Sequence, residues 1–256
     1  MIKIVILGIV QGLTEFLPVS SSGHLLIFEK MFGIVSANFS LEIALHIGSL
    51  LAVIVYFRKR IIQLFMSIIH FRDESYQEDR QFVFYIVIAM FFTGIIGISL
   101  KDWIVQFKGS LLFIGSSLVF TSLLLFSANI KMKKSKSDDK GITWFRSIII
   151  GIFQGIAVIP GVSRSGSTIT AALFSGISPR KAAEFSFILS IPAILCAFLL
   201  DFEPGFYLSQ EILFGMLASF LSGLFAIRFF LGILQKGKLN YFGFYCLIVG
   251  IYLIIS

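Results

Sequence analysis

Six long apolar stretches, residues 41–57, 82–100, 111–127, 184–200, 212–234 and 241–255, follow one another along the chain with polar or charged connections between them. In lipid each run must satisfy its own backbone hydrogen bonds, so the pattern predicts membrane-crossing helices rather than strands. Two other regions break the rhythm. Residues 1–10 are apolar but too short to cross. Residues 11–24 are polar, and 25–33 are apolar again apart from Glu29 and Lys30. The chain from 1 to about 35 therefore reads as a helical hairpin that enters and leaves on one side. Residues 142–177 repeat the design, with Pro160-Gly161 interrupting any continuous helix. Residues 61–71 are too short to span and are expected at the interface.

Charge orders these spans. Arg58-Lys59-Arg60, the charged loop 72–80, Lys131, Lys133, Lys134, Lys136 and Lys140, Arg180-Lys181, and Lys236 with Lys238 all sit at span ends. The positive-inside rule puts them in the cytoplasm and puts Asp102, Asp201 and Glu203 outside. The span 41–57 then runs inward and its counterpart 184–200 runs outward, which predicts inverted repeats: six spans plus two re-entrant hairpins entering from opposite faces. Residues 1–256 form one all-α polytopic membrane domain, with repeat 1 at about 1–127, repeat 2 at about 142–256 and a basic cytoplasmic loop at 129–141. A gapless alignment supports the repeat: Gln11–Gly23 on Gln154–Gly166 gives identity at six of thirteen positions, at an offset of 143. In it Arg164 corresponds to Ser21 and Val158 to Glu15.

Composition agrees: 57% hydrophobic residues, 14% charged, 30 Phe and a mean hydropathy of +0.95 exclude a soluble domain. The net charge of +7 is accounted for by topology, so nucleic-acid binding is not expected. Cys196 and Cys246 lie in apolar runs and build neither a disulfide framework nor a metal site. Residues 1–10 run into the polar stretch without a small-residue cleavage site, so no secretory signal is expected.

Arg164 concentrates the chemistry. An arginine at bilayer depth costs roughly 2.5–3.5 kcal/mol and marks a wet or polar cavity. Around it stand Ser163, Ser165, Gly166, Ser167 and Thr168; the first break supplies Gln11, Glu15, Ser20, Ser21, Ser22, Gly23 and His24. If the two breaks meet, one brings the cation and the other a carboxylate and an imidazole. A guanidinium beside hydroxyls and free helix-end amides has the parts of a phosphate cradle, with donors expected around Gly23 and Gly166 and from Ser163, Ser165 and Thr168. Ser21 is the candidate nucleophile with His24 as its base or as the acid for the leaving group; His24 as direct nucleophile is the other reading. Glu15 would orient His24 or hold a divalent ion. Glu42, His46 and Glu184 are expected near the surface or supporting the pocket. Inverted repeats with broken helices also suit a transporter or flippase; the Ser/His/Glu/Arg set favours an enzyme.

The motifs Gln11-x-x-x-Glu15, Phe16-Leu17-Pro18-Val19-Ser20-Ser21-Ser22-Gly23-His24 and Pro160-Gly161-Val162-Ser163-Arg164-Ser165-Gly166-Ser167-Thr168 resemble those of the undecaprenyl-diphosphate phosphatases, the bacitracin-resistance phosphatases of bacteria. The resemblance covers essentially the whole chain. It implies hydrolysis of a C55 isoprenyl diphosphate to its monophosphate and inorganic phosphate, recycling the lipid carrier of cell-wall synthesis. It implies a multi-pass protein of the bacterial cell membrane with its site open to the outer face, membrane lipids and the lipid diphosphate as partners, and a homodimer as a candidate assembly. Mg2+ or Ca2+ is a candidate cofactor, with no organic cofactor expected. The family's opening position is Glu or Gln; the neutral Gln11 leaves Glu15 as the one carboxylate for a metal.

Overall fold

The computed structural model describes residues 1–34, 39–107, 109–134, 139–200 and 209–255, which form helices joined by turns. In chain order these are α1 (Ile2–Phe16), α2 (Ser21–Phe32), α3 (Phe39–Tyr56), α4 (Arg58–Ile69), α5 (Gln77–Phe107), α6 (Leu111–Lys134), α7 (Trp144–Ile156), α8 (Arg164–Phe174), α9 (Pro179–Leu200), α10 (Gln210–Gln235) and α11 (Asn240–Ile255). Helices α5, α6, α9 and α10 are each long and apolar enough to cross a membrane. Helix α3 is followed by α4 across a bend of 79°. That suits an α4 lying along the interface. Helix α11, 16 residues long, is apolar but shorter. Large apolar side chains such as Phe84, Phe91, Phe214 and Phe225 are exposed, as expected where lipid is the solvent. The chain is an all-α polytopic membrane protein. Asp201, Glu203 and Lys136 lie outside the described residues.

The two interruptions are shorter than the sequence suggests. Gln11 and Glu15 are on α1 rather than in a loop, and Gln154 is on α7. No helix breaker stands before Pro18 or Pro160, so the helical pattern continues to Phe16 and Ile156. This places Gln11 and Glu15 on one helical face at i, i+4, and leaves 17–20 and 157–163 as the true breaks.

Packing is reciprocal between the halves. Helix α1 packs most extensively on α10, and α7 on α5. Each short helix carries a Gly-x-x-x-Gly pair at the same offset of 143, Gly8 and Gly12 on α1, Gly151 and Gly155 on α7. A Cβ on Gly12 would lie 2.2 Å from the Ser219 carbonyl oxygen of α10, and one on Gly151 2.4 Å from the Ala89 carbonyl oxygen of α5. Small residues thus let two backbones touch, the usual route to helix association where lipid removes the hydrophobic drive.

Beside these contacts lies the aromatic core that fixes the end of α1. Phe16 is fully buried and meets Phe187 of α9 edge-on at 5.5 Å; Phe187 in turn meets Phe230 of α10 at 6.0 Å. Away from this core, Arg60 of α4 bonds Asp79 of α5 and, at 2.9 Å, Glu184 of α9, while covering the Phe82 ring at 4.9 Å. Glu184 therefore ties helices together rather than supporting the pocket.

Candidate active site

The two breaks touch. A Cβ on Gly23 would lie 3.3 Å from the Cα of Gly161, and one on Gly166 3.3 Å from Cβ of Pro18. Both breaks end in a serine N-cap: Ser20 Oγ accepts from the Gly23 amide at 3.4 Å, and Ser163 Oγ from the Gly166 amide at 3.1 Å. Those two amides, expected as phosphate donors, are consumed by the caps. The donors left to a ligand are the earlier first-turn amides of α2 and α8. Both helices begin at the same place, so two positive helix ends converge there.

Glu15 joins the halves. Its Oε1 accepts from Arg164 Nη2 at 2.7 Å; its Oε2 accepts from Ser21 Oγ at 2.7 Å and from Gln11 Nε2 at 2.9 Å. Arg164 also donates through Nη1 to the Ser186 carbonyl at 3.2 Å, next to the Phe187 that pins α1. A fork is needed to hold two acceptors on different elements at once. A lone buried guanidinium would be costly, and the pair offsets that cost before any ligand arrives.

These groups line a cavity of about 720 Å3. Its polar end holds Glu15, Ser20, Ser21, Ser22, Ser163 and Arg164; Ile43 and Ile47 of α3 and Ala193, Ile194 and Ala197 of α9 form an apolar wall; Lys101 at the end of α5 is a second cation. Pro192, inside α9, removes one helix hydrogen bond just before that wall. Behind the lining, Ser165 Oγ donates to the Leu17 carbonyl at 3.3 Å, and Thr168 Oγ1 lies 2.6 Å from Ser186 Oγ. Thr168, Ser165, Gly166, Gly23 and Gln11 thus support the polar end from behind.

His24 is not in the cavity. Its ring is turned to α11, with Nδ1 2.7 Å from the Ser20 carbonyl and Nε2 2.7 Å from the Tyr245 hydroxyl. The expectation places His24 beside Arg164 as base, acid or nucleophile; in the structure both ring nitrogens are instead taken by the Ser20 carbonyl and the Tyr245 hydroxyl, and the imidazole does not line the cavity. The imidazole the cavity does hold is His46 of α3, its Nε2 3.9 Å from Glu15 Oε2 and its Nδ1 2.9 Å from the Glu42 carbonyl. The i, i+4 placement of Glu42 and His46 at the start of an apolar span was its signal in the sequence.

Glu15 is the carboxylate that a divalent ion would meet beside Arg164 and Ser21. Among the described residues no three His, Cys, Asp or Glu side chains converge on a metal position, and both oxygens of Glu15 are already engaged.

Residues 4–252 match the family described as Bacitracin resistance protein BacA. The chain belongs to that family. Among curated BacA-family relatives, it is similar to the undecaprenyl-diphosphatase of Alkaliphilus metalliredigens, 41% identical over 263 residues, with 97% of this chain and 95% of the relative covered. It is likewise similar to the undecaprenyl-diphosphatases of Treponema denticola (43% over 256 residues, 96% and 94% covered) and Halothermothrix orenii (39% over 259 residues, 99% and 96% covered). The BacA-family resemblance read from the two breaks thus holds over the full length of the fold.

Proposed function

We propose that this chain hydrolyses undecaprenyl diphosphate, a C55 isoprenyl diphosphate, to the monophosphate and inorganic phosphate, recycling the lipid carrier of cell-wall synthesis and conferring bacitracin resistance. The observation that carries the reading is the Ser21–Glu15–Arg164 constellation at the polar end of a cavity whose other wall is apolar. The relatives' shared name, undecaprenyl-diphosphatase, supports the substrate. A diphosphate headgroup fits the two helix ends and the two cations, and the isoprenoid chain fits the wall built by α3 and α9.

The chemistry follows from the hydrogen bonds. The terminal phosphate takes Arg164 from Glu15, which leaves Glu15 to accept the Ser21 proton. Ser21 Oγ then attacks the terminal phosphorus, the bond to the bridging oxygen breaks, and the lipid monophosphate departs. Glu15 passes the Ser21 proton to the departing monophosphate; in the second half it deprotonates a water that attacks the serine phosphate, the Ser21 Oγ–P bond breaks, inorganic phosphate leaves and Glu15 returns the proton to Ser21 Oγ. Such transfer depends on positioning and charge, which Arg164, Lys101 and the first-turn amides supply. Were a Mg2+ or Ca2+ ion bound with the substrate, Glu15 would be the residue to hold it, and the ion would offset the charge developing on the transferred phosphate.

Lys101 and Asp102 lie at the end of α5 opposite the charged loop at 72–80. By the positive-inside rule the cavity therefore opens to the outer face of the cell membrane, with repeat 1 (about 1–127) and repeat 2 (about 142–256) inserted in opposite senses. The test is product analysis in reconstituted vesicles: one inorganic phosphate and one lipid monophosphate per diphosphate consumed, abolished by Ser21→Ala. Lipid diphosphate that crosses the bilayer unchanged, with no phosphate released, would identify a carrier instead.

A further inference from the structure

The strained residue of the first break is not a glycine. Ser20 has φ 71° and ψ 100°, and it is the one non-glycine with positive φ among the described residues. Backbones of this kind persist only where surrounding contacts hold them, and they gather at functional sites. The second break turns without such strain. Its N-cap, Ser163, has φ −74°, and the positive φ falls on Gly161 instead. The two breaks also differ at the position four residues past the cap. In the second it is Ser167, whose buried hydroxyl has no hydrogen-bond partner among the described residues; in the first it is His24.

His24 reaches back to the strained residue. Its Nδ1 lies 2.7 Å from the Ser20 carbonyl, which also takes the His24 amide at 3.3 Å. A carbonyl only accepts, so Nδ1 carries the hydrogen, and Nε2 is hydrogen-bonded with the Tyr245 hydroxyl at 2.7 Å. The Tyr245 ring stacks on the imidazole, centroids 5.6 Å apart and planes within 13°. The adjacent Cys246 Sγ donates to the Pro18 carbonyl at 3.6 Å. Helix α11 thus grips the break at two points.

We propose that Tyr245 is a positioning residue for the reaction: it locks the His24 ring, the ring clamps the Ser20 carbonyl, and the clamped turn presents Ser21 Oγ to Glu15. Tyr245 does not line the cavity and touches no substrate. The proposal rests on the assignment of Ser21 and Glu15 under the proposed function. It gives His24 a role there without placing it among the reacting groups.

The decisive variant is Tyr245→Phe, which keeps the stacked ring and removes only the hydroxyl. With wild-type turnover as reference, kcat is expected to fall about five- to tenfold, the loss of one hydrogen bond, with KM for the lipid diphosphate unchanged. His24→Asn, which keeps an N–H near the Nδ1 position, should retain more activity than His24→Ala. In the His24→Ala background Tyr245→Phe should cost little more, because the two act as one unit. Wild-type kcat in Tyr245→Phe, a change confined to KM, or losses that multiply in the double variant would overturn the proposal. A readout without turnover separates this from the hydrolysis reading. In a Cys196→Ser background, the alkylation rate of Ser21→Cys should change about threefold or more when Tyr245→Phe is added; an unchanged rate overturns the clamp even in a protein that releases no phosphate.

Discussion

Replacing Arg164 by lysine separates charge from shape. The guanidinium reaches Glu15 Oε1 at 2.7 Å and the Ser186 carbonyl at 3.2 Å through different nitrogens, so its plane is fixed before substrate arrives. An ammonium keeps the charge and can still pair with Glu15, so Arg164→Lys should leave the fold intact. Arg164→Ala, by contrast, strands a carboxylate that is 7% exposed, a change that typically costs about 3–5 kcal/mol. What lysine cannot do is stay on the Ser186 carbonyl through one nitrogen while another turns from Glu15 to the phosphate. Losing one charge-assisted hydrogen bond to the transferring phosphate is about 1.5–3 kcal/mol. At about 1.4 kcal/mol per decade, kcat/KM should fall about 10- to 150-fold. The assay is phosphate release from a long-chain isoprenyl diphosphate in detergent, beside a thermal unfolding curve for each variant. Turnover within twofold of wild type in a folded Arg164→Lys protein would show that Arg164 serves only to pair with Glu15.

Two further outcomes follow from packing and from charge. Gly12→Ala would put a Cβ 2.1 Å from Ser222 Oγ and 2.2 Å from the Ser219 carbonyl oxygen; it should destabilise by about 1–3 kcal/mol or more and lower the thermal midpoint, whereas Gly94→Ala, with nothing within 4 Å, should not, and equal midpoints would refute the close α1–α10 contact. In a Cys196→Ser, Cys246→Ala background, impermeant thiol labelling of intact cells should reach Asp102→Cys and Asp201→Cys but not Lys134→Cys; labelling that puts Asp102 and Asp201 on opposite faces would break the inverted-repeat topology.

Much of this architecture is legible in the sequence because lipid imposes a simple rule on backbone hydrogen bonds. Long apolar runs become helices, and Pro18 and Pro160-Gly161 mark both breaks. The meeting of those breaks could be argued from charge alone, since Arg164 in an apolar segment demands a partner, and Glu15 is that partner. Side-chain direction was harder to read. Placing Gln11 and Glu15 in a loop hid their shared helical face. Counting His24 with its neighbouring serines could not show that Tyr245, 221 residues further along the chain, takes its ring nitrogen. His46 could be read only as lying near the surface or supporting the pocket, because nothing local shows that α3 crosses beside α1 and brings it 3.9 Å from Glu15. The Gly8/Gly12 and Gly151/Gly155 pairs were readable, lying at the same offset as the aligned breaks, but their meaning depends on which helices come against them.

The central claim is that the two halves build one phosphoryl-transfer site, and a double-mutant cycle in turnover across the halves tests it most directly. Ser21→Ala and Arg164→Ala are each measured alone and together for phosphate release from C55 isoprenyl diphosphate, with folding confirmed for each protein. The expected result is that the double variant is no slower than the worse single variant, because parts of one site cannot each be lost twice. Losses that multiply would mean that Ser21 and Arg164 act independently, and would contradict the account.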